Sequence, residues 1–186
     1  MTLRRAVRLL LLILGLSGLA GTATAATPDA VPALAAPTVP VDTALATVPV
    51  RFATLAAAVA AQVAGAEDEP VRCLASAIYF ESKGEPLAGQ LAVGHVILNR
   101  AASGRYPADV CGVVKQRGQF SFVRGGVIPA IDAGRAAWRT AVSVAKVALA
   151  SAWTSPVPTA LFFNGVGAGH GGSLRVATIG HHAFYR

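Results

Sequence analysis

This chain has little charge. Asp, Glu, Lys and Arg make up only 13% of its 186 residues, and only nine of them are acids. Acid–base chemistry therefore has few places to come from. Aromatics are 6% of the chain, and there are two cysteines and one methionine. Two cysteines allow a single disulfide, and two thiols so far apart with no neighbouring histidine do not read as a metal site. The glycine-rich run at 164–172 lacks the strand–GxxxxGK[ST]–helix order of a phosphate-binding loop. No stripe of Lys and Arg is interleaved with aromatics, so no nucleic-acid partner is expected.

Apolar residues are abundant, at 54%, and the formal net charge is +7. Removing Arg4, Arg5 and Arg8 with a leader leaves 13 bases against 9 acids, or +4. A modest positive field favours anionic partners such as cell-wall polymers or membrane surfaces.

Residues 1–25 read as a signal peptide, with a positive start, the apolar run Leu9–Leu14 and the small-residue cleavage pattern Ala23-Thr24-Ala25. The rival reading is an uncleaved anchor, since Leu9 to Ala26 would span a thin bilayer. Thr, Gly and Ser after Leu16 favour cleavage. Either way, the leader implies transient membrane association and an exported protein, placed in the periplasm or cell envelope. Residues 26–70 read as a Pro- and Ala-rich linker, with helix-compatible composition over 51–66. The folded domain is expected over 71–186, as a monomer. Asp29, Asp42, Glu67, Asp68 and Glu69 then lie outside it, and Glu81, Glu85, Asp109 and Asp132 are the acids within.

The informative stretch is Leu74–Pro86. Leu74 to Phe80 carries no charge, and Glu81 follows at once. Gly84 suits a helix C′ position and Pro86 an N1 position, so one helix ends here and another begins. Glu81 falls in the last turn of a mostly buried helix. The negative end of the helix dipole and apolar burial both disfavour its anion. Both favour a protonated carboxyl, the form a general acid needs. The plainer reading, an ordinary surface acid, must be set against that uncharged approach.

The spacing predicts a central helix over 86–102, on which Gly94 permits close approach and His95 and Asn99 share a face. That pair reads either as a hydrogen-bonded core duo or with Asn99 fixing substrate or the Glu81 loop. In an exported protein Cys73 and Cys111 suggest one disulfide. Asp109 suits a cap before Val110. An amphipathic helix is expected over 131–150, with Asp132 near its start. Ala160–Phe163 and Arg175–Ile179 are strand-like, flanking the glycine-rich run, which reads as a flap. His170, His181 and His182 lack regular ligand spacing, and no metal or other cofactor is expected.

Laid out in order, the chain resembles the SleB-type cell-wall hydrolase family, which includes spore cortex-lytic enzymes. The resemblance covers about 73–186. It rests on Ala77-Ile-Tyr-Phe-Glu-Ser-Lys-Gly-Glu85, Gly89-Gln90, Val96-Ile-Leu-Asn-Arg100, Tyr106-Pro107, Val110-Cys-Gly-Val-Val114, Gln119-Phe-Ser121, Ala160-Leu-Phe-Phe-Asn164 and Ile179-Gly-His-His-Ala-Phe-Tyr185. It implies a mainly α, lysozyme-like domain with a short β-hairpin near the C-terminus (α+β). It implies cleavage of peptidoglycan between N-acetylmuramic acid and N-acetylglucosamine, with the catalytic glutamate at Glu81. Asn99, Gln119, Ser121, Phe163, Asn164, His182 and Tyr185 match recurrent family positions, which implies substrate-binding or supporting roles. The usual small-Arg pair after the glutamate is Ser82-Lys83 here, which keeps the charge without the bidentate fork. Glycoside hydrolysis takes two carboxylates. Gly84-Glu85-Pro86 breaks the helix between Glu81 and Glu85, and Asp109 and Asp132 have structural readings. One acid points to a lytic transglycosylase, in which the substrate supplies its own nucleophile. A non-catalytic glycan-binding module and a metal-dependent amidase or peptidase are the alternatives.

Overall fold

The computed structural model describes residues 51–62 and 67–186. The expected leader and most of the proline-rich linker lie outside them. Among the described residues there are five helices and one small sheet: α1 (Leu55–Ala60), α2 (Glu69–Ser82), α3 (Leu87–Ala102), α4 (Val110–Lys115), α5 (Ala136–Leu149), β1 (Phe162–Gly165), β2 (Arg175–Ile179) and β3 (His182–Tyr185). The fold is the lysozyme-like α+β arrangement. None of these helices is long and apolar enough to cross a membrane.

Each helix end has a local cause. Asp68 caps α2 by accepting from the Val71 amide, and Pro70 sits in the first turn where a missing N–H costs nothing. Glu69 adds negative charge at the positive end of the helix. Both acids were expected outside the domain, so the fold begins earlier than 71. α1 extends it further, because Ala58 and Val59 are buried in the main core. At the other end of α2, Lys83 leaves helical geometry and Gly84 follows at φ 92°, a left-handed position suited to glycine. Pro86 takes the N-cap of α3 rather than its first helical position.

α3 is buried continuously from Gly89 to Ile97, as expected of a central helix. A Cβ on Gly94 would meet Ile78 Cδ1 at 3.2 Å, so the glycine sets how closely α2 and α3 approach. α5 covers both helices with Trp138, Ala141, Val144, Ala145 and Ala148. It starts at Ala136, not Ile131. The Asp132 carboxylate accepts from the Gly134 amide, holding a turn that delays the helix. Asp109 caps α4 through Gly112, and a disulfide joins Cys73 on α2 to Cys111 on α4.

The sheet has three antiparallel strands in the order β1-β3-β2, one more than the expected hairpin. β3 pairs with both neighbours, with Phe163 opposite Phe184 and Asn164 opposite Ala183. Alternation then assigns faces. Phe163, His182 and Phe184 share one face. Phe184 anchors it in a second core with Ala92, Val93 and Val96 of α3. Phe162, Asn164 and Tyr185 belong to the other face.

Candidate active site

Glu81 stands in the last turn of α2, half-buried. Burial pushes its carboxyl above the ordinary value, and among the described residues no hydrogen bond or ion pair opposes this. The nearest cation in sequence, Lys83, lies over the Tyr79 ring at 5.1 Å instead. The carboxyl is thus biased toward its protonated form with its polar atoms uncommitted. Next to it Phe80 is 38% exposed although large and apolar. Its ring stacks on Phe122 at 4.6 Å, and Phe122 rests on the buried Phe120 at 5.6 Å. The segment Gln119–Phe122 therefore forms a ledge against the end of α2.

Glu85, four residues on, is committed. Its Oε2 accepts from the His181 amide and its Oε1 pairs with His181 Nδ1, both at 2.9 Å. Desolvation pushes this carboxyl up, but the backbone and side-chain hydrogen bonds from His181, with the charges of His182 and His181, more than offset it and hold it low. The pair clamps the α2–α3 turn to the β2–β3 turn. Gly180 makes room for it, since a Cβ there would run into Glu85 Oε2.

The other expected site residues do not form one cluster. Asn99 is half-buried and its amide nitrogen is committed: it donates to the carbonyls of Val157 and Ala160, both at 2.9 Å. It positions the approach to the sheet, and it does not pair with His95, whose Nε2 is buried without a partner. Ser121 is exposed on the ledge. Phe163 meets His182 edge-on at 5.4 Å, on the face packed toward α3. Burial pushes His182 down, Glu85 pushes it back up and His181 adds a downward push, and its Nδ1 has no partner. On the opposite face Asn164 donates to the Gly169 carbonyl. The glycine-rich loop folds His170 flat onto Phe162 at 4.3 Å and near Tyr185 at 5.7 Å. His170 thus lies against Phe162 on one face of the sheet, His182 lies against Phe163 on the other, and His181 pairs with Glu85. The one set of potential ligands gathered within 4.8 Å among the described residues is Glu69, Cys73 and Cys111, whose sulfurs are bonded to each other.

Two features had no counterpart in the reading of the sequence. One is the Glu85–His181 clamp. The other is Arg100, buried at 6% exposure on α3. Beyond its place in the Val96–Arg100 stretch, an arginine in a largely apolar helix with no acid nearby was its only signal. Two concavities, of about 610 and 760 Å³, lie elsewhere, one around Phe52 and Trp153 and the other around Arg72 and Trp138. Glu81 lines neither.

Five helices with a small three-stranded antiparallel sheet beside them define a lysozyme-like α+β domain, in which the end of α2 carries a carboxyl without a partner among the described residues. Residues 84–185, more than half of the chain, match the Cell Wall Hydrolase family, and the chain belongs to it. Among curated proteins it is similar to the spore cortex-lytic enzymes of Halalkalibacterium halodurans (43% identical over 65 residues, 35% of this chain and 20% of that one) and Bacillus subtilis (43% over 72 residues, 38% and 24%). The matches span a quarter or less of those relatives' length. Among solved structures it is similar to the catalytic domain of the germination-specific lytic transglycosylase SleB from Bacillus anthracis, with a TM-score of 0.52 and 29% identity, over 67% of this chain and all of that one. The catalytic domain of the Bacillus cereus SleB protein gives a TM-score of 0.51 and 28% identity, over 67% and 95%.

Proposed function

We propose that this chain cleaves the glycan strand of peptidoglycan between N-acetylmuramic acid and N-acetylglucosamine, outside the cytoplasm, with Glu81 as its one acid–base group. The observation that carries the reading is the contrast in commitment: Glu81 is half-buried, pushed toward its neutral form and unpaired, whereas Glu85 is ionised and clamped to His181. The description of the Bacillus anthracis domain as a lytic transglycosylase agrees with it.

In this reading protonated Glu81 donates to the glycosidic oxygen as the bond to the muramic acid anomeric carbon breaks. The resulting carboxylate then takes the proton from the C6 hydroxyl of the same muramic acid. That oxygen closes on the anomeric carbon to give a 1,6-anhydro sugar, and Glu81 regains its proton. No second carboxylate and no water enter. Asn164, His182 and Tyr185 support the sheet beside the site, and Ser121 and the Phe80–Phe122 pair face the glycan.

Digestion of purified sacculi followed by mass spectrometry tests this. Anhydro-muropeptides are expected. Fragments with only reducing ends would replace the scheme by hydrolysis with a second acid. Binding to sacculi with no released fragment would leave a glycan-binding module.

A further inference from the structure

Arg100 is a buried cation. Among the described residues no carboxylate pairs with it, and burying an unpaired charge is costly. It lies among the rings of Tyr106, Phe162 and Phe120, at 5.2, 5.7 and 6.0 Å. Its Nε donates to the Leu161 carbonyl at 2.7 Å, and one terminal nitrogen donates to Gln119 Oε1 at 3.0 Å. Two acceptors hold the charge in place: the Leu161 carbonyl, which an aliphatic side chain would leave unpaired, and Gln119, whose orientation the guanidinium sets.

Guanidinium has donors and no acceptor. The amide oxygen of Gln119 must therefore face inward, and the amide NH2 must face out. Gln119 is exposed, and its nitrogen has no partner among the described residues. A carboxamide free to flip would offer solvent a donor or an acceptor, whereas this one offers only a donor, polarised by the cation behind it. The donor stands at the start of the Gln119–Phe122 ledge, whose far end is stacked on Phe80 beside Glu81.

We infer that Gln119 is a substrate-contacting residue that donates its amide N–H to the acetamido carbonyl of an amino sugar, and that Arg100 is the positioning residue that fixes its orientation. This rests on the glycan-cleaving reading above and names the group recognised. The glycan presents hydroxyls, which both donate and accept, and acetamido carbonyls, which only accept. An outward donor held against flipping is matched to the latter.

The test uses the full chain on soluble glycan strands, either native or chemically de-N-acetylated. Wild type is expected to show a KM about tenfold higher on the de-N-acetylated strands, the value of one good hydrogen bond. Gln119→Glu keeps the oxygen that accepts from Arg100, and indeed pairs with it, but removes the outward donor. It is expected to melt no lower than wild type, to have a raised KM on native strands and to lose the discrimination between the two substrates. Gln119→Met gives the same comparison if the acid disturbs the ledge. Arg100→Lys reaches Gln119 or Leu161 but cannot grip both, and is expected to blur the discrimination in part. A Gln119 variant that still discriminates as wild type does, or a wild type that does not discriminate, overturns the assignment. A wild type that releases nothing from native strands overturns the functional reading and takes this substrate assignment with it.

Discussion

Glu81 and Glu85 lie four residues apart, and the chain treats them in opposite ways. Glu81 ends a helix whose preceding seven residues carry no charge, so its surroundings are apolar, and the one cation within reach in sequence is diverted to Tyr79. Glu85 lies past Gly84, outside the helix, where a hairpin turn from 96 residues downstream offers it two donors. Only one turn of backbone separates a carboxyl raised by burial from one lowered by hydrogen bonds. Residue type does not divide the roles. What divides them is whether the carboxylate oxygens already have partners.

The largest expected effect comes from removing the uncommitted acid. Glu81→Gln is expected to lower glycan cleavage by about a thousandfold, within the range general acid–base groups supply, while leaving the fold intact. The release of muropeptides from sacculi measures it, and a Gln variant with near wild-type release would make the two glutamates equivalent after all. Replacing Cys73 and Cys111 by serine is expected to cost about 3–4 kcal/mol, because the bond closes a 38-residue separation in the unfolded chain. Denaturant melts would show it, and activity at low temperature is expected to survive, since the disulfide ties the start of α2 and not its end.

Gly180→Ala is expected to cost about 2 kcal/mol. The residue has φ 56°, a left-handed conformation, and its Cβ would displace the Glu85 carboxylate from His181. Paired with Glu85→Gln it gives a double-mutant cycle. If the alanine acts by breaking the clamp, the two losses overlap. Full additivity would mean that backbone strain alone is responsible.

What could be read from the sequence follows the same division between local and distant causes. The end of α2 was legible because its causes are contiguous: an apolar run, a carboxylate, a C′ glycine and a proline. The disulfide was legible because only two cysteines exist. The helix of α5 was legible in its period but not in its start, because Asp132 turns back on Gly134. The clamp was not legible, nor was the commitment of Asn99, which bonds carbonyls 58 and 61 residues away. Neither was the role of Arg100, whose partners come from three other segments. Contacts of that separation leave no periodicity in the chain. Asn99 and Gln119 both occupy family positions, yet one amide is spent on the backbone and the other is presented outward, a difference set wholly by neighbours that the local sequence does not name.

The smallest expected effects carry the sharpest test of the contrast, because they differ in sign. Glu85 has a folded-state value below its ordinary 4.5, so its ionised form stabilises the fold. That contribution is present above 4.5 and is lost as pH falls through the lowered value. Glu85→Gln is therefore expected to cost about 1 kcal/mol at neutral pH, since the His181 end of the pair is largely exposed, and to cost progressively less toward the acid limb. Glu81 has a folded-state value above 4.5, so its neutral form contributes stability that is fully present below 4.5 and is lost as pH rises through the raised value. Glu81→Gln removes that decline. It is expected to melt slightly above wild type at neutral pH, with the advantage vanishing as pH falls toward 4.5. Thermal melts of both variants across pH 3 to 8 thus test the environments without reference to activity. Two curves that diverge from wild type in the same direction at neutral pH would show that the carboxyls share one environment, and the separation of roles between them would fail.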